Sequence, residues 1–171
     1  MAVLSQEKLA SLNIDKIYNI ETYVLNINLW KQLDKSLKIK LKNPKKYPFD
    51  ENIRTLLPKK AKGIYIFTVE PEFPFIPTVV NFMYVGRVTA GNTFFKRFHE
   101  YVTAIGKEDQ RRNIQILTNA WPGKTWVYVY ELSLPDTEIK KIERNIFNSI
   151  VPPMNNEFTL KRAKNSRSLY N

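Results

Sequence analysis

The sequence predicts an α+β domain: a small, mainly antiparallel three-stranded sheet flanked by helices, behind a mostly helical N-terminal extension. Three observations predict it. Two short aromatic and β-branched runs, Gly63-Ile64-Tyr65-Ile66-Phe67 and Asn81-Phe82-Met83-Tyr84-Val85-Gly86, are joined by a proline-bearing connection and read as adjacent strands of a hairpin. Thr125 to Leu132 alternates, with Trp126, Tyr128 and Tyr130 on one face and Val127 and Val129 on the other, which makes a third strand. Around these runs the apolar spacing is helical.

In chain order, Ser5 can cap a short helix through Leu12, and Asn28 another through Leu37. The segment Lys38-Ile39-Lys40-Leu41-Lys42-Asn43-Pro44-Lys45-Lys46 suits an edge strand or an extended basic arm. As an edge its lysines discourage aggregation; as an arm, Lys40, Lys42, Lys45 and Lys46 contact phosphates. Asp50 can cap a helix through Leu57 that Pro58 ends. After the hairpin, Asn92 or Thr93 caps a helix through Ile105. Phe94, Phe98, Tyr101, Val102 and Ile105 share one face of it, with Arg97 on the rim. Arg111 to Ala120 reads as another helix, closed by Trp121-Pro122-Gly123. A last helix starts at Ser133 or Asp136, runs to Ile150 and is stopped by Pro152-Pro153. The tail from Phe158 carries Lys161, Arg162, Lys164 and Arg167 and no acid, so it either frays or docks on a phosphate backbone.

A chain of 171 residues fits one domain and can bury a core. Against 16 acidic residues stand 27 Lys and Arg, a formal charge of +11. That excess favours a polyanionic partner, nucleic acid first and an anionic membrane second; the bland alternative is a solvated basic surface. The absence of cysteine excludes disulfides, thiolate nucleophiles and thiolate-bound zinc, and a single histidine excludes multi-histidine metal sites. The first residues lack a basic segment followed by an apolar core, so no signal peptide is expected. No apolar run approaches about 18 residues, so no membrane span or membrane partner is expected, and the expected compartment is the cytoplasm.

One residue breaks the pattern. In the last helix Ile139, Ile142, Ile146, Phe147 and Ile150 form one arc, and Glu143 falls inside it. Carboxylates are rarely buried without a partner, because leaving water costs several kcal/mol. Two readings follow: Glu143 pairs with an Arg or Lys at the edge of the core, or it lines a small polar pocket. The sharpest form of the second is a ligand for Mg²⁺ or Mn²⁺.

These residues meet a family pattern. The chain resembles the GIY-YIG nuclease superfamily, whose two strand tripeptides are present as Gly63-Ile64-Tyr65 and, in a common variant, Tyr84-Val85-Gly86. The helix Phe95-Lys96-Arg97-Phe98-His99-Glu100-Tyr101 is similar to the family helix whose arginine faces the scissile phosphate. Glu143 through Pro152-Pro153-Met154-Asn155 is similar to the metal-binding glutamate followed by proline and a final asparagine. The match covers about Lys62 to Glu157, giving an extension over residues 1–61, a nuclease-like domain over 62–157 and a basic tail over 158–171. Four elements in order are far more specific than one tripeptide. The sequence differs from the pattern in its long connection, Glu70 to Val80 with Pro71, Pro74 and Pro77, and in an expanded loop from Gly86 to Arg97.

The resemblance implies a metal-dependent endonuclease that hydrolyses phosphodiester bonds in DNA, with RNA as a second candidate polymer, of restriction-like, mobile-element or repair-like subclass. It implies Tyr65, Tyr84, Arg97, Tyr101 and Glu143 as catalytic residues, Glu143 as the Mg²⁺ or Mn²⁺ ligand, Arg87 as a phosphate contact and Asn155 as a support for the helix end. Tyr65 is then the candidate base, although a phenol has a pKa of about 10 and neighbouring positive charge would have to lower it. His99 is off register and takes no role. A two-strand cut would come from a homodimer or from successive nicks. The competing reading is a non-catalytic nucleic-acid-binding protein that keeps the nuclease fold.

Overall fold

Seven residues, Gly63–Val69, form the strand on which the sheet is built, and all seven are buried. The structure, a computed structural model, describes residue 37 and residues 40–72, 79–107 and 112–155. The expected helices over residues 5–12 and 28–37, most of the long connection and the basic tail lie outside the described residues, apart from the helical turn in which Leu41 N–H donates to Leu37 O. In chain order the elements are β1 (Lys45–Pro48), α1 (Ile53–Leu56), β2 (Gly63–Val69), β3 (Asn81–Val88), α2 (Phe94–Val102), α3 (Arg112–Asn119), β4 (Thr125–Glu131) and α4 (Asp136–Ile150).

The sheet has four strands in the order β1-β4-β2-β3, with every neighbouring pair antiparallel. This corrects the expected count of three. The added strand, Lys-Lys-Tyr-Pro, draws on the last two residues of the lysine-alternating segment and continues to Pro48, which lies opposite Trp126. Four residues with three polar or imide positions leave no period-two signal; pairing with β4 defines the strand, and proline is tolerated because β1 is an edge. β2 reads as an unbroken apolar run because both its neighbours and both its faces are covered.

Opposite faces of the sheet carry separate cores. On one, Tyr65, Phe67, Val127 and Val129 pack with Phe94, Phe98 and Tyr101 of α2, Ile116 and Leu117 of α3, and Phe49, Ile53 and Leu57 around α1. On the other, Ile64, Ile66 and Val85 meet Ile139, Ile142, Ile146 and Ile150 of α4. The stretch from β1 to α1 is therefore packed on the core.

The caps explain the helix limits. Thr93 is the N-cap of α2, and its Oγ1 accepts from Lys96 N–H at 3.2 Å. Asp50 instead accepts from Asn52 N–H, and α1 shrinks to the single turn Ile53–Leu56. α4 ends on Val151 in the left-handed region (φ 51°), followed by the two prolines. That turn sends Met154 and Asn155 along β3, where Met154 N–H donates to Met83 O at 3.0 Å. Met83 is the extra residue of a bulge in β3, between the pairs Phe67–Tyr84 and Thr68–Phe82. Among the described residues no helix is long and apolar enough to cross a membrane.

Candidate active site

The tyrosine of β2 lies opposite the glycine of β3: Tyr65 pairs with Gly86. A β-carbon on Gly86 would stand 2.3 Å from Cζ and from the hydroxyl of Tyr65, so the ring occupies the space that glycine leaves. Gly63 has a similar cause, with φ 151° and a β-carbon position 1.9 Å from Tyr130 O. Both tripeptide glycines are thus demanded by packing.

Tyr65 is 1% exposed and is enclosed by Phe94, Phe98 and Tyr101. Its hydroxyl hydrogen-bonds that of Tyr101 at 3.0 Å. Tyr84 is partly buried, its ring centroid 6.1 Å from that of Tyr65. Burial, reinforced by Tyr101 and Tyr84, holds the Tyr65 phenol well above its usual range, and the positive charge of Arg97 only partly opposes this. Burial likewise pushes Tyr101 up. Arg97 by itself does not lower Tyr65 toward neutrality: with no cation bound, desolvation outweighs it.

Arg97 reaches the same cluster from the rim of α2. Its Nη1 donates to Glu100 Oε2 at 2.7 Å, while its Nε is buried with no hydrogen-bond partner among the described residues. Burial works against its charge, but Tyr65 and the bond to Glu100 outweigh it and Arg97 stays cationic. The i,i+3 spacing to Glu100 was readable in the sequence, although no role was assigned to that acid.

Arg87 and Glu143 lie elsewhere. Residues alternate across a strand, so Arg87 faces away from Gly86 and Tyr84, toward α4. There its Nη1 donates to Glu143 Oε2 in an ion pair. Glu143 is 7% exposed and is ringed by the isoleucines of the α4 core, as its position in the apolar arc predicts. The predicted site therefore falls into two groups on opposite faces of the sheet, Tyr65–Tyr101–Tyr84–Arg97 and Arg87–Glu143. They share β3, on which Tyr84 and Arg87 are three residues, about 10 Å, apart. β3 is the last strand of the sheet, and Met154 and Asn155 cover its edge at Met83 and Val85.

Asn155 fixes this strand. Its Oδ1 accepts from Val85 N–H at 2.9 Å and its Nδ2 donates to Val85 O at 2.8 Å, a side chain standing in for the missing neighbour strand. Asp136, at the start of α4, similarly ties down the loop after β3: it accepts from Ala90 N–H at 2.9 Å and from Lys62 Nζ at 2.8 Å. The sequence reading missed this tie.

The predicted basic strip is largely paired. Lys40 meets Glu138 at 3.1 Å, Lys45 meets Glu131 at 2.7 Å, and Lys46 pairs with Glu70 while lying 4.3 Å above the Trp126 ring. Lys42 is exposed and pairs with no acid among the described residues. Lys161, Arg162 and Lys164 lie outside the described residues.

Among the described residues no three His, Asp or Glu side chains converge as a metal cage. Mg²⁺ does not need one: it commonly keeps several waters and binds through one or two carboxylates plus substrate phosphates. The lone Glu143 carboxylate fits a cation in that mode, with Arg87 as its competitor. No family model, curated protein or solved structure matches the chain.

Proposed function

We propose that the chain is a metal-dependent endonuclease of the GIY-YIG kind that hydrolyses phosphodiester bonds, with DNA as the polymer and RNA as the second candidate. The observation that carries the reading is Glu143. A carboxylate inside an isoleucine arc adds nothing to that core, and its partner comes from β3, the strand that bears the second tripeptide. The cationic Arg97 beside the hydrogen-bonded Tyr65–Tyr101 pair, with Tyr84 packed against it, supports the other half.

In this reading Arg97 and Arg87 offset charge growing on the phosphoryl oxygens. Tyr65 is the candidate acceptor of the attacking water's proton, a role that burial in the metal-free chain opposes and that the charge of Arg97 and of a bound cation would have to enable. Glu143 holds Mg²⁺ or Mn²⁺, which when bound supplies Lewis-acid polarisation of a phosphate oxygen and stabilises the leaving 3′ oxygen. Asn155 holds β3 in place.

The test is cleavage of plasmid, single-stranded DNA and RNA with Mg²⁺ or with EDTA, beside Glu143→Ala and Tyr65→Phe. Metal-dependent cutting that Glu143→Ala abolishes supports the proposal. The second reading is a binding protein without turnover, favoured by the way Arg87 satisfies Glu143 with no ligand. Tight, salt-sensitive binding with no cutting of any substrate would establish that reading instead.

A further inference from the structure

The Arg87–Glu143 pair carries an inference about how this site is loaded, and it rests on the nuclease reading above. Glu143 sits on a fifteen-residue helix among the buried Ile139, Ile142 and Ile146, and its side chain is 9% exposed. Arg87 is the freer partner. Its side chain is 36% exposed, it stands on an edge strand, and the Nη1 contact to Glu143 is its one hydrogen bond among the described residues. A guanidinium has five N–H donors, so most of its binding capacity is available to another anion. The backbone beneath it is pinned, since Asn155 holds Val85 from the edge and β2 pairs Ile64 with Arg87 itself. Any exchange of partners is therefore a rotation of one side chain.

A divalent cation on the Glu143 carboxylate and the Arg87 guanidinium on the same carboxylate are like charges within a few ångströms. In a partly desolvated setting they exclude one another. A phosphodiester reverses this, because it offers the part-exposed guanidinium a bidentate anionic partner.

We propose that Arg87 is a counter-ion switch: in the free protein it occupies Glu143, and a nucleic-acid phosphate draws it away, so that the cation binds at Glu143 only together with the phosphate. The protein then carries little metal until substrate arrives. By linkage, the cation must tighten phosphate binding by the same factor that phosphate tightens the cation.

The test is Mn²⁺ binding to the full chain without nucleic acid, by calorimetry and by the electron-spin signal of free Mn²⁺. Wild type is compared with Arg87→Gln, which keeps a donor for Glu143 but removes the charge, and with the Arg87→Gln/Glu143→Gln double variant. Arg87→Gln should bind Mn²⁺ at least about tenfold more tightly than wild type, and the double variant should lose that gain. Unchanged or weaker Mn²⁺ affinity in a folded Arg87→Gln protein would overturn the switch. A measurement on wild type alone stands independently of how any variant folds: the affinity for a labelled phosphorothioate DNA duplex, by fluorescence anisotropy, with Mn²⁺ or EDTA at matched ionic strength. It should rise about tenfold with Mn²⁺; no rise would overturn the proposal. If Glu143→Ala abolishes cutting while Arg87→Gln leaves Mn²⁺ affinity unchanged, the nuclease reading stands and the switch falls. If Arg87→Gln tightens Mn²⁺ but no substrate is cut, the switch stands and the nuclease reading falls.

Discussion

At Gly86 the missing β-carbon is what lets the Tyr65 ring lie against β3 and place its hydroxyl 3.0 Å from Tyr101. Gly86→Ala should therefore act through Tyr65. Either the ring or the strand must move, and overpacking of this kind costs about 1–3 kcal/mol, readable from a urea midpoint. The tyrosine pair also sets an alkaline limit. Tyr65 and Tyr101 titrate higher in the folded chain than in the unfolded one. Their contribution is thus fully present below the unfolded value of about 10 and is lost as pH rises from there toward the folded values. Denaturant unfolding at successive pH values should show stability falling steeply above about pH 10, and Tyr65→Phe should flatten that fall. An equally steep fall in the variant would remove the buried pair as its cause.

Between residues and the whole stand the elements, and here the edge of β3 decides most. A bare edge would expose unpaired peptide groups, and the Asn155 side chain closes it at Val85. Asn155→Ala leaves the Val85 N–H and C=O without these bonds, at a cost of about 2–4 kcal/mol. Hydrogen exchange should localise the loss: the Val85 amide should lose protection while the β2–β4 ladder keeps its own. The cap of α2 is a smaller matter. Thr93→Ala should cost about 1 kcal/mol and leave the fold intact.

Across the whole molecule, the pool of 27 Lys and Arg is less available than its number implies, because Lys40, Lys45 and Lys46 each face a carboxylate. Under the proposed function, binding to nucleic acid should weaken with salt, and Lys42→Ala should reduce that salt slope more than Lys45→Ala does. The Lys46–Glu70 pair also joins β1 to the end of β2. Burial alone would raise Glu70, but its bonds from Lys46, Thr68 and Tyr128 outweigh that and hold it below the usual 4.5. Its contribution is present above that usual value and is lost as pH falls through the lower folded one. Acid titration of Glu70→Gln should accordingly show a shallower loss of stability than wild type.

The helices after the hairpin and the strand β4 were legible because their apolar residues repeat with the period of the element, and β2 and β3 because they are short aromatic and β-branched runs between turn formers. So was the conflict at Glu143, since a charge inside an isoleucine arc needs no structure to be noticed. The short strand β1 was not: Lys-Lys-Tyr-Pro has no period of its own, and only pairing with β4 defines it. Nor was the partner of Glu143, which lies 56 positions away along the chain. Whether Tyr65 is ionisable, and whether the candidate residues face one side of the sheet or both, are likewise settled only by packing. Periodicity and residue chemistry are local properties that a sequence carries by itself. Which charge meets which, and how much water is left around a hydroxyl, depend on segments that become neighbours only when the chain folds.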